Sequence, residues 1–337
     1  MTIANKKTEH QTSPSAAQKA QPEDMIKCMK FLGQMKKIFI LGVGAQKGGT
    51  TWLHRQLNSN QNIDLGFRKE YHILDAITDM RQRGENKDFY SGFRDRRIKK
   101  ILELNSAGKL GKNLGRQRKR SKHIALELAF IDNLDHYFDY FDYLYLKNPD
   151  VEAVGDITPN YAILKPSIFR MVKRKLEQKG FTVKVVFLMR DPVERAWSLA
   201  RMKKRNMEES KQEKFDEIKY ISKKGVDGFA HMKSSYEFTI KNLEKIFERQ
   251  NIYYGFYETL FNEKSHEDIQ RFLGISIDRF DVDEVFNASP KTTHIPPDTN
   301  KELVERFRST YEYMHNRFGN SMTKIWERYE LLESPQA

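Results

Sequence analysis

Apolar positions along the chain fall into two kinds of run. Short, continuous runs rich in β-branched residues occur at 38–43 (IFILGV) and 183–189 (VKVVFLM), without the alternation of a half-exposed strand. Such runs predict strands covered on both faces. VEAVGDI at 151–157 reads as another short strand ending in TPNY, and NIYYGFYETL at 251–260 begins as one more. Elsewhere the spacing is helical. Trp52, Leu53 and Leu57 open a helix behind the first strand, ERAWSLARM forms the body of one that begins at Pro192, and KELVERFRSTYEYMHNRFG (301–319) is an amphipathic helix closed by glycine. Strands alternating with helices predict an α/β fold, three layers deep (α/β/α) around a mostly parallel central sheet. The aromatic run YFDYFDYLY at 137–145 belongs to a predicted helix, where its spacing fits core packing, with the lining of a cleft as the alternative.

Composition narrows the class. The 337 residues suit one catalytic domain over 36–329, preceded by a polar tail and short helix (1–35) and followed by a tail (330–337). No apolar run approaches the ~18–20 residues of a membrane span, and the polar start lacks a secretory stretch, so a cytoplasmic protein without a transmembrane segment is expected. Cys28 is the sole cysteine, which rules out an intrachain disulfide and a cysteine-rich metal site. The net charge of +13 is concentrated at 108–123, where Lys109, Lys112, Arg116, Arg118, Lys119, Arg120 and Lys122 occur without an acid. This stretch is expected to be a solvated basic loop at about 105–123, with attraction of an acidic acceptor as the functional alternative. No nucleic-acid recognition motif or zinc spacing accompanies the charge, so no nucleic-acid partner is expected.

Two stretches carry anion chemistry. In LGVGAQKGGTTW (41–52) the glycines let backbone N–H groups close on a phosphate and the following helix N-terminus adds its positive end. A triphosphate loop places its lysine directly before the hydroxyl residue, whereas Lys47 comes first here and Gly48, Gly49, Thr50 and Thr51 follow. The second stretch, MRDPVERAWS (189–198), sets Arg190 and Asp191 just beyond the carboxyl end of a predicted strand, with Arg195 and Ser198 on the helix behind. Arginine offers a planar fork of donors for phosphate oxygens. Two separate seats suit a ligand with phosphates at both ends.

These motifs resemble those of the sulfotransferases that use 3′-phosphoadenosine 5′-phosphosulfate (PAPS), and the likeness runs in family order from about 36 to 329. The resemblance implies a P-loop-like fold and a first seat of Lys47, Gly48, Gly49, Thr50, Thr51 and Trp52 for the 5′-phosphosulfate. Arg190 and Ser198 would hold the 3′-phosphate, and Lys291 and Thr293 in the late PKTTHIPP stretch would fold over the donor. RKEYHILD (68–75) resembles the active-site stretch of the heparan sulfate 3-O-sulfotransferases and their bacterial relatives, which implies Glu70 as base, with His72 and Asp75 orienting it and His72 as the alternate base. One position departs from that subgroup: DITPNY (156–161) has Ile157 where those enzymes carry a lysine.

The expected reaction is sulfuryl transfer from PAPS, without a metal, to a hydroxyl or amine of a small-molecule, lipid or carbohydrate acceptor, leaving adenosine 3′,5′-bisphosphate (PAP). Lys47 would meet the charge that grows on the leaving oxygen. A P-loop nucleotide kinase and a non-catalytic anion or nucleic-acid binder are the alternatives. Oligomeric state stays open.

Overall fold

The structure is a computed structural model that describes residues 36–78, 87–107, 114–223, 228–277, 280 and 294–333. Five strands form one sheet: β1 (Ile38–Gly44), β2 (Ile63–Asp64), β3 (Ala153–Ile157), β4 (Thr182–Met189) and β5 (Ile252–Phe256), in the order β2-β3-β1-β4-β5. Every pairing is parallel. The four predicted strands are all present. Two-residue β2 is too short to leave a periodic trace in the sequence.

The continuous apolar runs follow from burial on both faces of the sheet. Phe39, Leu41 and Val43 of the central strand pack into one cluster with Phe141, Phe181 and Phe187, while Ile38 and Ile40 pack into a second with Trp52, Leu53, Leu57 and Val186. Helix α1 (Thr50–Asn58) covers the second face. On the other lies the aromatic run, within the helix Leu134–Lys147, where Tyr137, Phe138, Phe141 and Tyr145 are buried and Phe141 meets Phe39 edge-on at 5.0 Å. It is core.

Three expectations need correction. The basic stretch is helical wherever it is described: α2 (Lys87–Ala107) and α3 (Leu114–Asp132) form a hairpin, with 108–113 outside the described residues. Arginine, lysine and glutamine are good helix formers, and α3 gains its hold on the body from buried Ile124, Glu127 and Phe130 while its basic end remains in solvent. The predicted helix at 301–319 is two helices, Pro297–Arg306 and Arg308–Phe318, parted at Phe307, whose backbone at φ −104° and ψ 13° leaves the helical region; Gly319, at φ 78°, closes the second as expected. The predicted tail at 330–337 begins with a helical turn (Glu330–Glu333), from which Leu331 and Leu332 pack against the core. Among the described residues no helix is long and apolar enough to cross a membrane. Cys28 lies outside them.

At Gly155 of β3 a Cβ would stand 2.3 Å from the Ile40 carbonyl oxygen of β1, a backbone atom that cannot step aside. Gly155→Ala should therefore destabilise the protein by about 1–3 kcal/mol, read as a lower midpoint in urea unfolding.

Candidate active site

The carboxyl ends of β1 and β4, neighbours in the sheet, carry the two predicted anion seats. After β1 the chain turns through 45–49, with Lys47 at φ 72° and Gly49 at φ 98°. A Cβ on Gly48 would lie 2.7 Å from the Leu188 carbonyl oxygen, and one on Gly49 2.6 Å from the Leu260 side chain. Nothing but glycine fits either place. Gly49 is the N-cap of α1, and no side chain caps that end, so the first amides stay available to an anion.

After β4, Asp191 caps helix α4 (Pro192–Arg205), which Pro192 begins. The Asp191 carboxylate accepts from the Glu194 amide (2.9 Å), the Tyr311 hydroxyl (2.8 Å) and Arg328 (3.2 Å), so it is fully used in holding the turn. Arg190 lies over the Tyr257 ring at 4.1 Å, and its buried Nε has no hydrogen-bond partner among the described residues. Arg195 is structural: buried, it donates to the Ala230 carbonyl at 2.9 Å and to Ser234.

Both seats open into one cleft of about 1370 Å³, whose lining includes Lys47, Gly49, Thr50, Thr51, Trp52, Glu70, Arg190 and Ser198. Gly48 backs onto β4 beneath it. Lys291 and Thr293 lie outside the described residues. The cleft also takes Lys69, Arg201, Arg205, Lys324 and Arg328, which the motifs do not mark. Residues 194, 198, 201 and 205 share one helical face, so the two α4 arginines were open to a periodicity reading from Ser198; Lys324 and Arg328 arrive from a distant segment and leave no local signal. Arg201 Nε and Nη1 are buried without a hydrogen-bond partner among the described residues. Burial and then the charges of Arg205, Arg190, Arg201 and Lys69 bring the Lys47 ammonium down to about 8.

Glu70, His72 and Asp75 come together as the spacing suggested. His72, itself at φ 57°, places Nδ1 2.8 Å from Asp75 Oδ2 and Nε2 3.3 Å from Glu70 Oε2, and Lys69 pairs with the other Glu70 oxygen. Only Glu70 of the three lines the cleft. Burial opposes charge on His72, but the hydrogen bonds to Asp75 and Glu70 outweigh it and raise the imidazole to about 9. Burial likewise works to raise Glu70, yet His72 and Lys69 prevail and hold it near 2.

The loop bearing these groups is gripped from two sides. Beneath it, DITPNY supplies the supports: Thr158 Oγ1 accepts the Tyr71 amide at 3.0 Å, and the Asn160 amide donates to Asp75 at 2.8 Å. Ile157 itself is buried against Gly42, on the α1 side of the sheet rather than in the cleft lining. Beside it, the buried carboxylate of Glu127 on α3 pairs with both Arg68 and Arg97, and the Phe67 ring stacks on His123 at 4.5 Å. Sequence gave no hint of Glu127, whose partners are 59 and 30 residues away.

The family model that describes the sulfotransferase domain matches residues 36–295. No curated protein matches the chain in sequence. Among solved structures, a sulfotransferase from Alicyclobacillus acidocaldarius is similar over 83% of this chain and 94% of that one, at 18% identity and a TM-score of 0.53. The sulfotransferase domain of the Synechococcus PCC 7002 olefin synthase is similar over 81% and 95%, at 16% identity and a TM-score of 0.41. At such identity the first likeness bears on the fold alone.

His72 should titrate near 9 in an NMR pH series, and Asp75→Asn should lower that value by removing one anionic neighbour. The sign for stability follows. The His72 contribution is full below its ordinary 6.5 and lost as pH rises through about 9; that of Glu70 is full above 4.5 and lost as pH falls through about 2. Both are whole between pH 4.5 and 6.5, and a His72 that titrates at its ordinary value would contradict the arrangement.

Proposed function

The chain belongs to the sulfotransferase family, and from that premise we propose that it moves the sulfuryl group of PAPS to a hydroxyl or amine acceptor, with Glu70 as base. The observation that carries this reading is the meeting of both anion seats and Glu70 in a single cleft. The residues fit such a donor. Gly48 and Gly49 leave a cradle that a Cβ would fill, and the buried donors Arg190 Nε and Arg201 Nε lack hydrogen-bond partners among the described residues.

PAPS supplies an activated sulfuryl group. The acceptor oxygen or nitrogen bonds to sulfur as the bond from sulfur to the 5′-phosphate oxygen breaks; the acceptor proton passes to Glu70, and PAP leaves. Lys47 faces the charge that develops on the departing oxygen. Its lowered value of about 8 reflects burial first and neighbouring cations second, and a bound anion favours its charged form against both. Ser198 and Arg190 take the 3′-phosphate. Trp52 lines the wall between the donor loop and Phe261, which its ring meets edge-on at 5.4 Å.

Glu70 is favoured over His72 as base because the imidazole, raised to about 9, already holds its proton at neutral pH. Asp75 and His72 then orient the Glu70 carboxylate. The acceptor class remains small molecule, lipid or carbohydrate.

Calorimetry should find binding of PAP and none of magnesium ATP or RNA at comparable strength. Arg190→Ala should weaken PAP much more than adenosine 5′-phosphate, which lacks the 3′ group; equal losses would remove Arg190 from the 3′ seat. With the acceptor in hand, Glu70→Gln should lower turnover by roughly 10²–10⁴ with donor affinity little changed. His72→Ala should fall less. A Glu70→Gln enzyme of near-normal turnover beside an inactive His72→Ala would reverse the assignment.

A further inference from the structure

We propose that the α2–α3 hairpin docks this enzyme on an anionic lipid surface. From 114 to 122, α3 exposes Arg116, Arg118, Lys119, Arg120 and Lys122 and carries no acid. The first buried residue of that helix is Ile124, so its basic end stands clear of the body. Charge alone would suit any polyanion. What separates a membrane from a nucleic acid or an acidic polysaccharide is the exposed apolar surface on the same hairpin: Leu114, 40% exposed, opens the basic segment of α3, and Leu102 of α2, 59% exposed, lies beyond Arg97 toward that end. Leucines beside exposed arginine and lysine match a bilayer interface, where the cations meet anionic head groups and the apolar chains enter the acyl boundary. Such docking is peripheral and needs no spanning helix.

The base of the hairpin ties this surface to the reaction. Glu127 joins α3 to Arg97 of α2 and to Arg68, two residues before Glu70, and His123 stacks on Phe67. A surface held by the hairpin is thereby held in fixed relation to the loop that bears Glu70. The docking itself does not depend on the sulfotransferase chemistry; only the identification of this loop with the acceptor side rests on that reading.

The test is co-sedimentation of the full chain with phosphatidylcholine vesicles that contain or lack phosphatidylglycerol. The protein should pellet with the anionic vesicles alone. Lys119→Glu, Arg120→Glu and Lys122→Glu combined should reduce partitioning by about a hundredfold or more, since each basic residue contributes about fivefold at such a surface. Leu102→Ser with Leu114→Ser should reduce it by about tenfold while leaving heparin binding unchanged. PAP affinity, measured alongside, should be unaltered in both variants, which shows that they fold and keeps failure of docking distinct from failure of the donor site. Absence of anionic-vesicle binding would overturn the proposal. So would unchanged partitioning of either variant, the leucine result pointing to a soluble polyanion instead.

Discussion

A carboxylate shut away from water must be supplied with hydrogen bonds, and Asp156 near the end of β3 is the group on which the loop bearing Glu70 depends. It accepts from the hydroxyls of Thr158 (2.7 Å), Tyr161 (2.7 Å) and Tyr137 (2.9 Å). Burial still dominates and pushes its titration up to about 6. Because Thr158 donates its hydroxyl proton to Asp156, its oxygen is left to accept the Tyr71 amide; because Tyr161 is fixed from below, its oxygen can accept the Leu74 amide at 3.4 Å. The loop that holds Glu70 is thus hung from a buried polar hub as well as packed into the apolar core through Tyr71, Ile73 and Leu74. Each such bond is modest, but removing one partner strands another in a place water cannot reach.

The opposite wall of the cleft is built on repulsion. Burial first, and then the crowding of Arg205, Arg190 and Arg201, depress Lys47, whose backbone occupies the left-handed region at φ 72°. Neither feature helps the chain fold by itself. Both are sustained by the sheet ends beneath, with the glycines packed against β4 and Leu260, and by Asp191, which fixes the start of α4 through three hydrogen bonds. In the proposed reaction a polyanionic donor would relieve this repulsion on binding, so that the same charges would become binding energy.

Local chemistry was readable in the sequence, and distant pairing was not. The glycine pair, the proline at the first helical position and the continuous strands each express a constraint within a few residues, and they marked the fold and the two turns that meet in the cleft. Glu127 gave no signal because its partners are joined only by folding; two partners of Asp156, Thr158 and Tyr161, lie close by in DITPNY, but nothing local marks that carboxylate as buried. The basic stretch misled for a different reason: charge predicts exposure, and exposure was taken for loop, although an exposed run of arginine and lysine is also a good helix. Phe307 keeps the helical period of buried positions, so the backbone break there, at φ −104° and ψ 13°, left no trace in the pattern.

The protonation of the Glu70 cluster shapes what the acceptor must do. At neutral pH a cationic His72 sits between two carboxylates, and Lys69 brings the local charge back to balance. A carboxylate held near 2 by these cations is a weak base. Its basicity rises only if a cation is drawn away, and Lys69 is the one able to leave, since it is exposed in part and shares the cleft lining with Glu70, whereas His72 is anchored on Asp75. In the proposed reaction, an acceptor or donor that engages Lys69 would therefore activate the base as it binds, and a site without its substrates would keep Glu70 quiet.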